Sequence, residues 1–594
     1  MTAVVQPTLT ASLHDRPAFQ EQRVRQLSKD EAWSRRIMVR DTMVPITTAG
    51  RAAPRADLVA LILALLTALL VAAPVLSLLL IAWQPAGDVW PVLLAYVLQP
   101  AITDTALLVL GVGSLTLLIG AGTAFLMTSF DFPGRRVLLW LLPLPLAVPT
   151  YLVAYVYVDL FEPLGLIHRV LTLALPSADA LALLPALRSL PGAVLLLGLV
   201  LYPYVYLAAQ ALWQAQSADA SEAARVLGAS RGTIFWRITL PMARPALAVG
   251  AALVALETLN DIGASEYLGV RTLTVAVFTT WLNRGSLAGA AQLALVLLCL
   301  VALLIAIERI ARRKASVELP SEATRLKPRT ALSARRGWAA LTICLLPPLL
   351  GFIVPVLYLL GTALRRAVLS GIEPSLWRDA LHTVTLAVIA TGLALLLALI
   401  VMLAQRWRAD RTSAIATSVA QLGYALPGTV LALGLLTPLL AFDNAIAAIA
   451  ASMGNAAPGL LLIGSGGALV LAYVIRFLAV PTGLLRAGFE QIPRDYDDSV
   501  RAVGAGRLTA LWRIDLPLLK PALLGAAIVV FVDCLKELPA TLLLRPLNVE
   551  TLATSIYQYA SRGSFEDGAM AALIIVAASV PPVIWLTRFS ERRS

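Results

Sequence analysis

Charge is scarce in this chain and absent from long stretches of it. Only 14% of residues are charged, 59% are hydrophobic, and the mean hydropathy is +0.82. Soluble domains carry about 25% charged residues. Seven segments, 58–83, 106–130, 189–218, 285–307, 337–364, 383–405 and 412–442, contain no charge at all. Each exceeds the roughly 20 residues that cross a bilayer as a helix. A soluble globular fold is excluded. So is a β-barrel, which would show short alternating segments.

Other absences narrow the chemistry. Cys299, Cys344 and Cys534 are the only cysteines, far apart and without histidine neighbours. That excludes a disulfide framework or zinc site and leaves core-filling thiols. His14, His168 and His382 are scattered, so no metal or nucleophile constellation supports a membrane enzyme. Lys29, Lys314, Lys327, Lys520 and Lys536 are the only lysines, and none follows glycine. A phosphate-cradling P-loop needs Gly-Lys, so this chain carries no ATP site of that kind. Residues 1–57 are polar and lack the apolar core of a signal peptide; they read as a cytoplasmic tail.

What is present is an excess of base, +12 at pH 7. It gathers at span ends, at Arg135-Arg136, Arg309 to Lys314, Arg406 to Arg411 and Arg588 to Arg593. The positive-inside rule accounts for this, and no nucleic-acid partner is needed. The expected fold is all-α and polytopic, with about twelve spans. These lie near 58–83, 105–130, 137–160, 190–214, 242–262 and 286–308, then 338–364, 382–405, 413–440, 459–485, 518–540 and 568–588. The stretches 171–188 and 443–456 read as short interfacial helices on the outer side. The expected division is a tail 1–57, a module 58–308, a basic cytoplasmic linker 309–337, a module 338–588 and a C-terminus 589–594.

The chain also repeats itself. Residues 222–250 and 498–526 align without a gap at an offset of 498 − 222 = 276, and 13 of 29 positions are identical. Chance overlay of such Ala/Leu-rich sequence gives about three. The matches include Arg225/Arg501, Trp236-Arg237/Trp512-Arg513 and Pro245/Pro521. Asp104-Thr105 and Val148-Pro149 align with His382-Thr383 and Leu426-Pro427 at an offset of 278. An even number of spans in each half makes the repeats parallel, related by a pseudo-twofold axis along the membrane normal, unlike the inverted repeats of many secondary transporters. With the N-terminus inside, loops 215–241 and 486–517 face the cytoplasm.

Those duplicated loops are polar and broken by glycine. A short helix, Gly228-Ala229, and a second short helix running to Leu240-Pro241 predict an elbow, with Pro241 and Pro517 suited to the first turn of the next span. The sequence Glu222-Ala223-Ala224, Gly228, Ile238-x-Leu240-Pro241 is similar to the EAA loop of importer permeases of ATP-binding-cassette (ABC) transporters. The second copy, Asp498-Ser499-Val500, Gly504, Ile514, Leu516-Pro517, departs from the motif at its start. With Lys536 to Pro546 and Glu257 to Gly263, the fused layout over 58–588 resembles the ferric-iron permeases of binding-protein-dependent importers. The resemblance implies coupling helices that dock two separate ATPase subunits, which bind ATP and magnesium, so that this chain holds no cofactor and is no enzyme. It also implies an extracytoplasmic binding protein and a place in the bacterial inner membrane. Thiamine permeases share the layout, and polyamine and phosphonate permeases lie nearby. A stand-alone secondary transporter is the different-class alternative.

Glu257 and Asp261 are four residues apart in the fifth span, on one helical face, and Asp533 and Glu537 are their repeat equivalents. With Asn260 they are candidates for a translocation path. Ionisable groups within a membrane face a protein interior or water path, and hard oxygen ligands suit a hard cation. No metal site is assigned. The same carboxylates can instead cap outer helix ends or pair with Lys536 and Arg271 as structural bridges.

Overall fold

Lipid offers the backbone no hydrogen-bond partners, so long apolar runs must close their own bonds as helices. They do so in the computed structural model of the protein, which describes residues 55–162, 165, 186–215, 219–313, 329–456, 459–493, 495–496 and 506–591. The first half comprises α1 (Arg55–Ala82), α2 (Val89–Ser129), α3 (Arg135–Leu141), α4 (Thr150–Phe161), α5 (Leu190–Ala215), α6 (Asp219–Val226), α7 (Gly232–Asn260), α8 (Gly263–Tyr267), α9 (Leu273–Leu282) and α10 (Leu287–Arg313). In the second half lie α11 (Ala334–Ser370), α12 (Pro374–Trp407), α13 (Arg411–Ala420), α14 (Gly428–Ser452), α15 (Gly467–Phe477), α16 (Ala479–Glu490), α17 (Arg507–Leu535), α18 (Pro539–Leu544), α19 (Leu552–Ser561) and α20 (Phe565–Glu591). A two-residue parallel pair, β1 (Phe130–Asp131) with β2 (Thr330–Ala331), ties the end of α2 to the segment before α11. Among the described residues, ten helices are long and apolar enough to cross a membrane, or up to twelve if each of two bent pairs counts as one span. The expected all-α polytopic fold is what forms.

Several expected spans are broken. The run 137–160 is not one helix: α3 and α4 meet at 92°, around a 3-10 turn at Leu144–Ala147. Pro143, Pro145 and Pro149 remove backbone donors there. Its repeat, 413–440, is likewise interrupted by a 3-10 turn, at Gln421–Ala425, before Pro427. α14 then runs on to Ser452 and absorbs most of the stretch expected as an interfacial helix. Asp443 within it is buried, because its carboxylate accepts from the Leu462 and Ile463 N–H groups. The run 459–485 is likewise bent, by 42° between α15 and α16. The other expected interfacial stretch, 171–188, lies outside the described residues apart from its last three.

Glycine lets the helices of the first half approach closely. A Cβ on Gly120 of α2 would meet the Tyr202 carbonyl oxygen of α5 at 2.8 Å, and one on Gly250 of α7 would meet Val205 Cα at 2.8 Å. Small residues at helix contacts are the usual device in membranes. The repeat also shows in equivalent bonds. Thr105 Oγ1 accepts from Leu273 N at 2.8 Å, and Thr383 Oγ1 from Leu552 N at 2.8 Å, each fastening the second helix of a half to the start of α9 or α19.

The halves interlock. Ala60, Ala64, Ala68 and Val71 of α1 are buried in a core otherwise built from the second half, with Ala387, Ala394 and Leu431. A Cβ on Gly434 of α14 would lie 2.3 Å from the Pro74 carbonyl oxygen of α1. Conversely, Ala340 and Cys344 of α11 are buried with Ala124, Met127 and Tyr202 of the first half. Tyr157 donates to the Leu350 carbonyl at 2.7 Å, and Tyr358 donates to Asp159. At one end of α1, Asp57 pairs with Arg507 of α17 at 2.7 Å.

Candidate functional site

Where the two halves meet, α7 and α17 both stop short. Asn260 and Leu535 are their last residues, and α8 and α18 begin after a two- or three-residue break. A helix end leaves its neighbours' backbone groups in need of partners. Asp261 and Glu537, at equivalent positions in the two breaks, supply them. Asp261 Oδ1 accepts from Ser265 N at 2.8 Å and Ser265 Oγ at 3.1 Å, and Oδ2 accepts from Thr150 Oγ1 at 2.5 Å. Glu537 accepts from Ala540 N at 2.9 Å, Thr541 N at 3.1 Å and Thr541 Oγ1 at 2.7 Å. Ser265 and Thr541 are repeat equivalents (541 − 265 = 276). Both carboxylates are buried. The reading of Glu257 and Asp261 as one face of a single helix is therefore corrected. α7 ends between them, and Asp261 caps the next helix.

The breaks open a cavity of about 100 Å³, and all five candidate path residues line it: Glu257, Asn260, Asp261, Asp533 and Glu537. Glu257 accepts from the Tyr424 hydroxyl at 2.8 Å, across the junction between halves. Asp533 pairs with Lys536 at 2.9 Å, which bears out one of the two bridges considered from the sequence. Arg271 pairs instead with Asp104, at 3.4 Å. The sequence reading missed Arg476. Its guanidinium lies 3.2 Å from Glu537 and donates to Asn260 Oδ1 at 2.9 Å, and Gly428 N donates to the same oxygen at 2.7 Å. Arg476 is the one charged residue in 459–485, a signal that an intramembrane site was there to find. Tyr151, Tyr204 and Tyr424 also line the cavity. Among the described residues, no group of three His, Cys, Asp or Glu could hold a metal ion.

The second place of interest is the duplicated elbow. α6 ends in a left-handed glycine: Gly228 has φ +82°, its N–H donates to Arg225 O at 2.9 Å, and Ala229 N donates to Ala224 O at 2.9 Å. This is the paired closure of a Schellman motif. Glu222, Ala223 and Gly228 are exposed, and Ala224, Ile238, Leu240 and Pro241 are half-buried. The expected second short helix is not separate. It joins α7 through a π turn at Phe235–Thr239, just before Pro241. In the second copy α17 does the same through Leu511–Asp515, before Leu516 and the exposed Pro517, with Ile514 half-buried in that turn. Asp498 and Gly504 lie outside the described residues. Large apolar side chains stand in the open here: Val226 is 87% exposed, Leu227 86%, Trp236 67% and its repeat equivalent Trp512 71%.

The pattern of the binding-protein-dependent transport system inner membrane component family matches this chain twice, over residues 116–317 and 394–594. Similar proteins include the Fe(3+)-transport system permease protein of Haemophilus influenzae, 24% identical over 82% of this chain and 90% of its own length. The molybdenum transport system permease protein of Escherichia coli is 32% identical over 36% of this chain and 96% of its own. The sulfate transport system permease protein of Escherichia coli is 32% identical over 28% of this chain and 54% of its own. The two family matches fall one in each half and take in the breaks and both elbows. The chain thus belongs to the family of binding-protein-dependent transport system inner membrane components, as a multi-pass ABC importer permease with the family module fused twice in tandem.

Proposed function

We propose that the chain carries ferric iron inward, received from a separate extracytoplasmic binding protein and driven by two ATPase subunits. The observation that carries the cation reading is the pair of repeat-related carboxylates, Glu257 and Asp533, lining one cavity at the junction of the halves. Hard oxygen donors suit a hard trivalent ion, and the similar Haemophilus permease is named for Fe(3+). The modules are 58–308 and 338–588, with the linker 309–337, the tail 1–57 and the C-terminus 589–594 all in the cytoplasm. Each elbow docks one ATPase through residues such as Glu222, Gly228 and Trp236, or Asp498, Gly504 and Trp512. ATP and magnesium are bound there and not in this chain. Closure of the ATPases rocks the halves and alternates access to the cavity.

Arg476 and Lys536 favour one competing substrate, an oxyanion such as molybdate or sulfate, for which other similar permeases are named. Arg476 is committed to Glu537 and Asn260, and Lys536 to Asp533, so neither charge stands uncompensated. The test is reconstitution of the permease with its ATPase and binding protein in proteoliposomes. ATP-dependent uptake of radiolabelled iron, unaffected by excess molybdate, sulfate or thiamine, is expected. Uptake of any of those in place of iron would overturn the assignment.

A further inference from the structure

The cavity holds one feature that a plain acidic path does not need. Lys536 puts its ammonium 2.9 Å from Asp533 and within electrostatic range of Glu257. Around the two carboxylates stand phenols. Tyr424 donates to Glu257 at 2.8 Å, and Tyr204 lines the same cavity with Tyr424, Glu257 and Asp533. The hydroxyl of Tyr151, on the same cavity wall, is buried and has no hydrogen-bond partner among the described residues. An ammonium set among carboxylate and phenol oxygens occupies the place of a cation.

We infer that Glu257, Asp533, Tyr204 and Tyr424 form a transit site for a hard trivalent cation, and that Lys536 is a tethered cation filling that site between transport events. This deepens the iron reading and rests on it. The argument is electrostatic. Two carboxylates in a cavity between membrane helices need a counter-charge when no ion is present, because an uncompensated buried charge is costly. Lys536 supplies it. An arriving trivalent ion interacts with the same oxygens about three times as strongly as an ammonium at equal distance, and it displaces the lysine. A monovalent ion gains nothing by the exchange, so the resting lysine also bars leakage of small cations. The four oxygen-bearing side chains come from both halves, so a rocking motion pulls the donor set apart and lets the ion go. Conduction requires such release. Lys536 differs from its repeat equivalent Asn260 in the number of its partners. Asn260 accepts from both Gly428 and Arg476, whereas the Lys536 ammonium pairs with one carboxylate, that of Asp533.

The test uses the full chain in lipid nanodiscs, with terbium as the trivalent probe and its luminescence excited through the neighbouring aromatic rings. Lys536→Met should bind terbium at least tenfold more tightly than the wild type, and Lys536→Gln should do the same. Lys536→Arg, which keeps the charge, should not. Adding Glu257→Gln or Asp533→Asn to Lys536→Met should remove the gain. If both neutral variants elute as the wild type does on size exclusion yet bind no tighter, the lysine is not a resident cation. Tight binding that survives loss of both carboxylates would place the metal elsewhere and overturn the site as well. The iron assignment is judged separately by uptake. Unchanged terbium affinity beside normal iron import removes the transit site alone, and a tenfold gain beside absent iron import keeps the cation site and removes iron as cargo.

Discussion

At the scale of single residues, Asp261 and Glu537 look alike in sequence but carry different loads. Asp261 accepts three hydrogen bonds, all from hydroxyl or amide donors of its own half. Asparagine keeps one oxygen for Ser265, and Thr150 can reorient its hydroxyl toward the new amide. Glu537 takes bonds on both oxygens from backbone donors and also faces the Arg476 guanidinium. Glutamine there sets an NH2 group against another donor and strips Arg476 of its counter-charge. Asp261→Asn should therefore cost less than about 1 kcal/mol, in the range of a conservative cap change. Glu537→Gln should cost about 3 kcal/mol or more, as breaking a buried ion pair does. Melting of the purified full-length variants checks the order, and a Glu537→Gln protein as stable as Asp261→Asn would contradict it. Iron uptake by Asp261→Asn should stay close to wild type, because its carboxylate is spent on the cap.

At the scale of elements, the elbow depends on one backbone angle. A side chain at position 228 forces a left-handed conformation that costs about 1–2 kcal/mol for an L residue, and proline there also deletes the N–H that donates to Arg225. Gly228→Pro should insert normally and lose co-purification of the ATPase, read by affinity capture from detergent extracts. Retained capture would make the elbow a passive connection. This element was legible because Glu222-Ala223-Ala224 and Gly228 are local signals, and Arg225, Gly228 and Trp236-Arg237 recur 276 residues on as Arg501, Gly504 and Trp512-Arg513 (504 − 228). The breaks at Pro149, Asn260, Pro427 and Leu535 were not. Apolar composition runs straight through Pro149 and Pro427, and the charged residues beside Asn260 and Leu535 read equally well as one face of an unbroken helix, so neither pattern registers a change of backbone direction. Their stability comes from distant hydroxyls, such as Thr150 on Asp261, that no short window contains. Arg476 was visible as a lone charge, but its partners Asn260 and Glu537 lie 216 and 61 residues away.

For the molecule as a whole, the interlock of α1 and α11 means that neither half completes its own core. Ala60, Ala64 and Ala68 belong to the second half's interior, and Cys344 to the first half's. Residues 1–313 and 329–594 expressed separately should each aggregate. Co-expressed, they should assemble and co-purify as one species on size exclusion. A monodisperse, melting-competent half on its own would show that the crossed helices are dispensable. Tandem fusion also fixes the partner, since each half finds its mate at high effective concentration.

The unequal lining of the central cavity has a numerical consequence. Exact twofold symmetry delivers side chains to its axis in pairs. In this chain Lys536 corresponds to Asn260, Arg476 to Val200 and Tyr424 to Leu146, at offsets of 536 − 260 = 276, 476 − 200 = 276 and 424 − 146 = 278, and all six line the cavity. The axis thus meets one ammonium and one guanidinium, an inventory of odd numbers that a pair of identical subunits cannot assemble. Each substitution near the axis alters the count by one instead of two, so the ionic balance of the passage can be adjusted in single steps.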